Sequence, residues 1–265
     1  MGGALTGWTI VVTRAEGPDG PLGASLAAQG ARVLHVPTVS IGAPDDLEPL
    51  RRAIARLDSF EWMVLTSPRA VGAVSRVLGA GAHPSAAALH RLARVRVAVV
   101  GAATADHARA AGIEPEFVGS GDGGEALAHD LVKVGVGPGS EVLFPASNRA
   151  GSGLAAVLRE AGARVEQVVA YETRIRAVDI EAYPAAQRAD AVTFTSPSAV
   201  EGWVSAWTHD GVNFSVPPIP NVAIGATTAA ALEKEGLGAM VATEPSLDGV
   251  VDAVARLARE GDEPT

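Results

Sequence analysis

The 265-residue sequence predicts an α/β protein of two flavodoxin-like, doubly wound parallel-sheet domains arising by internal duplication. Apolar runs of strand length alternate with longer helical stretches, the pattern of parallel strands covered on both faces. Three short passages also recur in the same order about half the chain later. Gly30-Ala31-Arg32-Val33 returns as Gly162-Ala163-Arg164-Val165, and Thr66-Ser67-Pro68-Arg69-Ala70-Val71 as Thr195-Ser196-Pro197-Ser198-Ala199-Val200. Gly101-Ala102-Ala103-Thr104-Ala105 returns as Gly225-Ala226-Thr227-Thr228-Ala229. Duplicated α/β units commonly enclose a ligand cleft.

The elements follow in order. Trp8 to Thr13 reads as a strand, and Leu22 to Gln29 as a helix closed by Gly30. Val33 to Val36 is the next strand, Leu47 to Leu57 a helix, and Trp62 to Leu65 a buried strand. Helix Ala70 to Leu78, strand Val95 to Val100, helix Ala105 to Ala111, strand Glu116 to Val118 and helix Glu125 to Val134 complete the first half. Gly135 to Ser140 is the seam between repeats. The second half offers strands at Glu141 to Phe144, Val165 to Tyr171, Ala191 to Phe194, Val222 to Ile224 and Met240 to Ala242. Its helices are Leu154 to Ala161, Ala199 to Ala206, Thr228 to Glu235 and Leu247 to Arg259, with a frayed tail from Glu260.

Composition narrows the function. Hydrophobic residues make up 48% of the chain, enough for a sizeable core, yet no apolar run reaches the roughly 18 residues of a membrane span. The opening Met1-Gly2-Gly3-Ala4-Leu5-Thr6 lacks a basic segment followed by an apolar one, so no secretory signal is expected. There is no cysteine, which excludes disulfides, thiolate nucleophiles and cysteine-bound metals and makes a reducing cytoplasm the simplest compartment. The net charge of −9 speaks against a nucleic-acid partner. Lys133 and Lys234 are the only lysines, so Schiff-base chemistry has few candidates.

The repeated turns carry the chemistry. In Leu65-Thr66-Ser67-Pro68 an apolar strand ends, Ser67 can cap a helix and Pro68 can open it. Ser196 and Pro197 repeat this, while Gly101 and Gly225 end strands ahead of Thr104 and of Thr227 and Thr228. All four turns fall at the carboxyl ends of parallel strands, where open α/β sheets bind ligands. Each offers backbone N–H groups, a hydroxyl and a helix's positive end, a receptor for carboxylate or phosphate. One such contact is worth about 0.3–2 kcal/mol, so several must act together on a polyanion. Any one turn, taken alone, reads first as a plain helix cap; the duplication is what raises the functional reading.

Other motifs lead elsewhere or nowhere. Gly119-Ser120-Gly121-Asp122-Gly123-Gly124 has dinucleotide-loop spacing, but Asp122 would repel a pyrophosphate and no acidic residue closes a later strand at the needed distance. His35, His83, His90, His107, His129 and His209 show no metal-ligand spacing, so no metal is expected. Tyr183, beside Pro184, reads as a surface turn. Tyr171 ends a strand at the crossing between halves and, on the residues alone, reads first as a core aromatic.

Together the Thr-Ser-Pro turns at 66–68 and 195–197, the segment Val168-Val169-Ala170-Tyr171-Glu172-Thr173 and the segment Ala223 to Leu232 resemble the uroporphyrinogen-III synthase family. The resemblance runs from Ile10 to about Leu257. It implies two domains joined by a two-stranded linker: residues 1–40 with 174–265, and 41–173. The opening strand–helix–strand units would be exchanged between the domains. It implies a cofactor-independent lyase in heme biosynthesis, a cytoplasmic monomer. The substrate would be the linear octacarboxylate hydroxymethylbilane, cyclised with loss of water and inversion of ring D. By position Tyr171 matches the tyrosine that assists hydroxyl departure. The substrate-binding set implied is Arg14, Thr66, Ser67, Gly101, Thr104, Ser147, Ser196, Ser198, Gly225, Thr227 and Thr228, with Arg69 and Arg149 as further cations near the carboxylates. A non-catalytic tetrapyrrole or anion sensor on the same scaffold is the alternative.

Overall fold

The computed structural model describes residues 3–79, 90–121, 123–209, 212–213 and 216–261. Chain contacts divide it into two compact units, Met1–Ile41 with Arg174–Thr265, and Gly42–Thr173. The chain passes between them at Ile41–Gly42 and Thr173–Arg174.

The first unit contains β1 (Thr9–Val12), α1 (Pro21–Ala28) and β2 (Arg32–His35). The chain then leaves through β3 (Val39–Gly42). The second unit follows with α2 (Glu48–Ala55), β4 (Trp62–Leu65), α3 (Pro68–Val77), β5 (Arg96–Val99), α4 (Ala102–Ala110), β6 (Phe117–Val118), α5 (Gly124–Lys133), β7 (Glu141–Ser147), α6 (Gly153–Glu160) and β8 (Arg164–Ile175). Back in the first unit come β9 (Ala191–Phe194), α7 (Pro197–Ala206), β10 (Thr208–His209), β11 (Val212–Asn213), β12 (Asn221–Ala223), α8 (Ala226–Lys234), β13 (Ala239–Val241) and α9 (Leu247–Gly261).

In the first unit the sheet order is β13-β12-β9-β1-β2, all neighbours parallel. Counted along that unit's own chain this is 2-1-3-4-5 read from the β2 edge, with the order reversing between β1 and β9. Val11, Val192, Phe194 and Ala223 face α7 and α8 on one side, where Trp203 stands edge-on to Phe194 and Trp207. Ile10, Val12, Ala191 and Val222 face α1 and α9 on the other. In the second unit the order is β3-β8-β7-β4-β5-β6. Met63, Leu65, Val97, Val99 and Leu143 pack beneath α2, α3 and α4. Trp62, Val64, Ala98, Val142 and Phe144 pack against α5 and α6. Both faces of the central strands are therefore buried, each large side chain contributing about 1.5–3 kcal/mol.

Local chemistry sets the helix ends. Ser67 and Ser196 accept the N–H of Ala70 and Ala199 at 3.2 Å each, with Pro in the first turn. Gly30 and Gly162 stop α1 and α6 with the same φ of +94°, a conformation natural to glycine.

Several expectations shift. The strand predicted to stop at Phe144 runs on through Pro145 to Ser147, and the one predicted to stop at Tyr171 continues to Ile175. The helix predicted over Leu47 to Leu57 is α2 plus a separate 3-10 turn at Leu57–Ser59. Helix α9 extends past Arg259 to Gly261, beyond the predicted start of the frayed tail, whose residues 262–265 lie outside the described residues. The β10–β11 hairpin has no counterpart among the predicted strands. Among the described residues no helix is long and apolar enough to cross a membrane.

Candidate active site

In the second unit Thr66 and Ser67 follow β4, Gly101 and Thr104 follow β5, Ser147 ends β7, and Tyr171 lies on β8. The paired strands are parallel, so these residues gather along one edge of the sheet. That edge opens between β7 and β4, where the winding direction changes. Pairing of β7 with β4 stops at Leu143, two residues before Pro145, which has no N–H to donate, whereas pairing with β8 continues to Ser147.

Tyr171 owes its position to a register break. Ala146 pairs with Val169, but Ser147 pairs with Tyr171, leaving Ala170 as an extra residue on β8. Consecutive strand residues ordinarily point to opposite faces; a bulge breaks that rule and re-aims a side chain. Tyr171 accordingly packs on the same apolar cluster as Val168 and Ala170, the cluster beneath α3. Its hydroxyl lies 3.1 Å from the Ser67 oxygen that caps α3.

Asn148, which the sequence did not single out, stitches this segment. Its N–H donates to the Tyr171 carbonyl at 3.2 Å, and its Oδ1 accepts the Thr173 N–H at 2.9 Å. The Ser147 hydroxyl donates to the same Oδ1 and accepts the Arg149 N–H, so it closes its own turn. Gly101 begins α4 in extended conformation, and a Cβ there would come within 3.0 Å of the Gly121 Cα. The glycine loop thus packs against the β5–α4 turn, a role in close packing; Asp122 lies outside the described residues. Thr104 is buried in the first turn of α4.

The first unit presents a similar edge: Arg14 after β1, Ser196 and Ser198 after β9, and Gly225, Thr227 and Thr228 after β12. Thr227 is exposed and Thr228 buried. Arg14 is paired within its own loop, its Nε 3.0 Å from the Glu16 carboxylate. Glu16 is nearly buried, its side chain 6% exposed, and its other oxygen accepts the Gly23 N–H in the first turn of α1. The sequence missed Glu16, since an acid just ahead of a Gly-Pro-Asp-Gly loop carries no periodic signal. Lys133 is exposed and paired with Asp130. Among the described residues no three His, Asp or Glu side chains gather as a metal site.

Fold and strand-edge residues together define an α/β protein with two main sheets, helix-opening turns along their edges and, in one unit, a phenol hydrogen-bonded to a helix cap. The chain belongs to the uroporphyrinogen-III synthase family: the family model described as uroporphyrinogen-III synthase HemD matches residues 21–252. It is 33% identical over 272 residues to the uroporphyrinogen-III synthase of Synechococcus elongatus, covering 97% of both chains. It is 29% identical to the chloroplastic uroporphyrinogen-III synthase of Oryza sativa subsp. japonica, covering 94% of this chain and 80% of that one. Among solved structures, a mutant uroporphyrinogen III synthase of Thermus thermophilus matches with a TM-score of 0.65 at 18% identity, over 96% of this chain and 99% of that one. The uroporphyrinogen-III synthetase of Helicobacter pylori 26695 matches with 0.60 at 19% identity, over 94% and 99%. These structural matches speak to the α/β fold with parallel sheets.

Proposed function

We propose that Tyr171 is the proton donor with which this family member carries out the uroporphyrinogen-III synthase reaction. Hydroxymethylbilane loses its terminal hydroxyl, ring D is inverted, and the macrocycle closes as uroporphyrinogen III. The phenol proton passes to the leaving hydroxyl, which departs as water as its C–O bond breaks. The pyrrole electron pair fills in behind it to give an azafulvene. The phenolate recovers its proton as the closed ring loses one, so no external oxidant or reductant enters. General-acid help of this kind is worth about 10²–10⁴-fold. The observation that carries the reading is the bulge that turns Tyr171 onto the α3 side of β8, with its hydroxyl at the Ser67 cap.

The remaining residues are read as receptors for the substrate's carboxylates. Thr66, Gly101, Thr104 and Ser147 serve in the second unit, with Ser67 contributing through the helix end it caps rather than through its own proton. Arg14, Ser196, Ser198, Gly225, Thr227 and Thr228 serve in the first. Free first-turn N–H groups and hydroxyls suit an octacarboxylate. Positioning of the reactive ends would favour inverted closure over the simpler direct one. We read the protein as a cytoplasmic monomer that uses no cofactor.

We also infer an internal duplication with exchanged opening units. Taken from β7, the second unit's strands read β8-β7-β4-β5-β6, again 2-1-3-4-5. In each unit the leading strand–helix–strand segment would then come from one repeat and the remaining three strands from the other. The matched φ at Gly30 and Gly162 and the matched caps at Ser67 and Ser196 support this.

The deciding experiment generates hydroxymethylbilane in place, adds the purified protein, oxidises the products and separates the porphyrin isomers. Predominantly isomer III is expected. Isomer I alone, the product of spontaneous closure, from a folded sample would favour a non-catalytic sensor.

A further inference from the structure

We propose that Ser67 is a positioning residue for proton transfer: its hydroxyl donates to the Tyr171 oxygen and keeps the phenol's own proton turned toward the substrate. This rests on Tyr171 being the proton donor, as read above.

The Ser67 oxygen has two lone pairs and one proton. One lone pair is taken by the Ala70 N–H at 3.2 Å, which fixes the side chain at the start of α3. The Tyr171 oxygen lies 3.1 Å away, a distance that either direction of donation satisfies. The two directions differ chemically. A phenol that donates to Ser67 has its proton tied up and must break that bond before protonating a leaving group. A phenol that accepts from Ser67 has its proton available.

Electrostatics selects between them. The Ala70 N–H and the positive end of the ten-residue α3 draw electron density from the Ser67 oxygen. That makes its hydroxyl a poorer acceptor and a better donor. As the phenol gives up its proton, charge grows on the Tyr171 oxygen, and the bond from Ser67 strengthens. An interaction stronger in the transition state than in the ground state raises kcat, whereas a uniform one alters KM. Ser196 makes the same cap, with Ala199 at 3.2 Å, and within its own unit, among the described residues, it has no tyrosine as a hydrogen-bond partner. Loss of either cap should therefore cost similar stability, while only Ser67 should matter for proton delivery.

The test uses the full chain carrying Tyr183→Phe, which leaves Tyr171 as the sole tyrosine. Ser67→Asn retains an acceptor for Ala70 and a donor for the phenol. Ser67→Asp retains the acceptor and has no donor. Both residues cap helices well. Ser67→Asn should keep kcat near the parent's, while Ser67→Asp and Ser67→Ala should lower it about ten- to a hundredfold, with KM in Ser67→Ala little changed. The ¹³Cζ resonance of labelled Tyr171 gives a readout independent of turnover. In Ser67→Asp it should move from the parent position toward that of a phenolate, because the phenol is forced to donate. Parent-level kcat in Ser67→Asp, a fall in Ser67→Asn as large as in Ser67→Asp, or an unmoved resonance in Ser67→Asp would each overturn the proposal. Parent-level kcat in Tyr171→Phe would instead remove the tyrosine from the reaction and take the role of Ser67 with it.

Discussion

Ala170 and Tyr171 are consecutive on β8, yet both pack on the cluster beneath α3. A regular strand would have sent the Tyr171 ring to the α5–α6 side, away from Ser67. Replacing Tyr171 by Phe keeps the ring packing and removes only the hydroxyl. The expected result is a fall in kcat of about 10²–10⁴-fold. The stability loss should be about 1 kcal/mol, that of one hydrogen bond, read by denaturant unfolding. A variant that unfolds outright would mean the hydroxyl is structural.

Asn148 holds the bulged segment in register through Thr173 and the Tyr171 carbonyl. Asn148→Ala removes the Oδ1 acceptor and leaves the Thr173 N–H without that partner. Stability should fall by about 1–2 kcal/mol. Turnover should drop more than KM rises, because the phenol is misplaced while, of the carboxylate receptors, only Ser147 loses a partner. Asn148→Asp, which keeps an acceptor at that position, should recover most of the loss. Equal turnover in Asn148→Ala and the parent would mean that the bulge alone fixes the ring.

Fold and site were unequally legible. Fold class was readable because buried parallel strands are apolar throughout and because Ser-Pro and Gly turns punctuate them. Most candidate site residues were readable for the same reason: strand ends in such sheets lie on one edge. The bulge was not. In Val168-Val169-Ala170-Tyr171 every residue is apolar or aromatic, so no alternation marks the extra one. The run of β7 through Pro145 was hidden because proline signals a strand end, and here it interrupts pairing on the β4 side while β8 remains paired. Two-residue strands such as β10 and β11 are too short to show a period. Glu16 became visible only with its partners, the Gly23 N–H and Arg14.

Glu16 offers a charge test. Glu16→Gln keeps an oxygen for the Gly23 N–H but no longer offsets the Arg14 charge. If Arg14 receives a substrate carboxylate, KM should fall about two- to fivefold at low ionic strength, and the difference should shrink as salt is raised past the point where the Debye length nears roughly 8 Å. A rise in KM would mean that Glu16 serves mainly to orient the guanidinium.

Gly202 tests how the chain is anchored as it leaves the first unit. A Cβ on Gly202 would lie 2.3 Å from the Thr38 carbonyl oxygen and 2.8 Å from its Cβ, distances no real contact reaches. The carbonyl has little room to give way, because it accepts the Arg176 N–H at 2.9 Å. The Thr38 N–H donates to Thr13, and its hydroxyl donates to the Ala199 carbonyl on α7. Helix α7 is pinned in turn by Trp203 in the core. The backbone of Gly202 is helical, so alanine is conformationally welcome there and the penalty is purely steric. Gly202→Ala should therefore cost about 3 kcal/mol, the upper end of overpacking losses. In thermal unfolding this is a drop of roughly 6–12 °C for a chain of this size. Activity per folded molecule should be retained below the transition, since no candidate site residue is touched. Unchanged unfolding in Gly202→Ala would show that α7 can slide away from Thr38 at little cost.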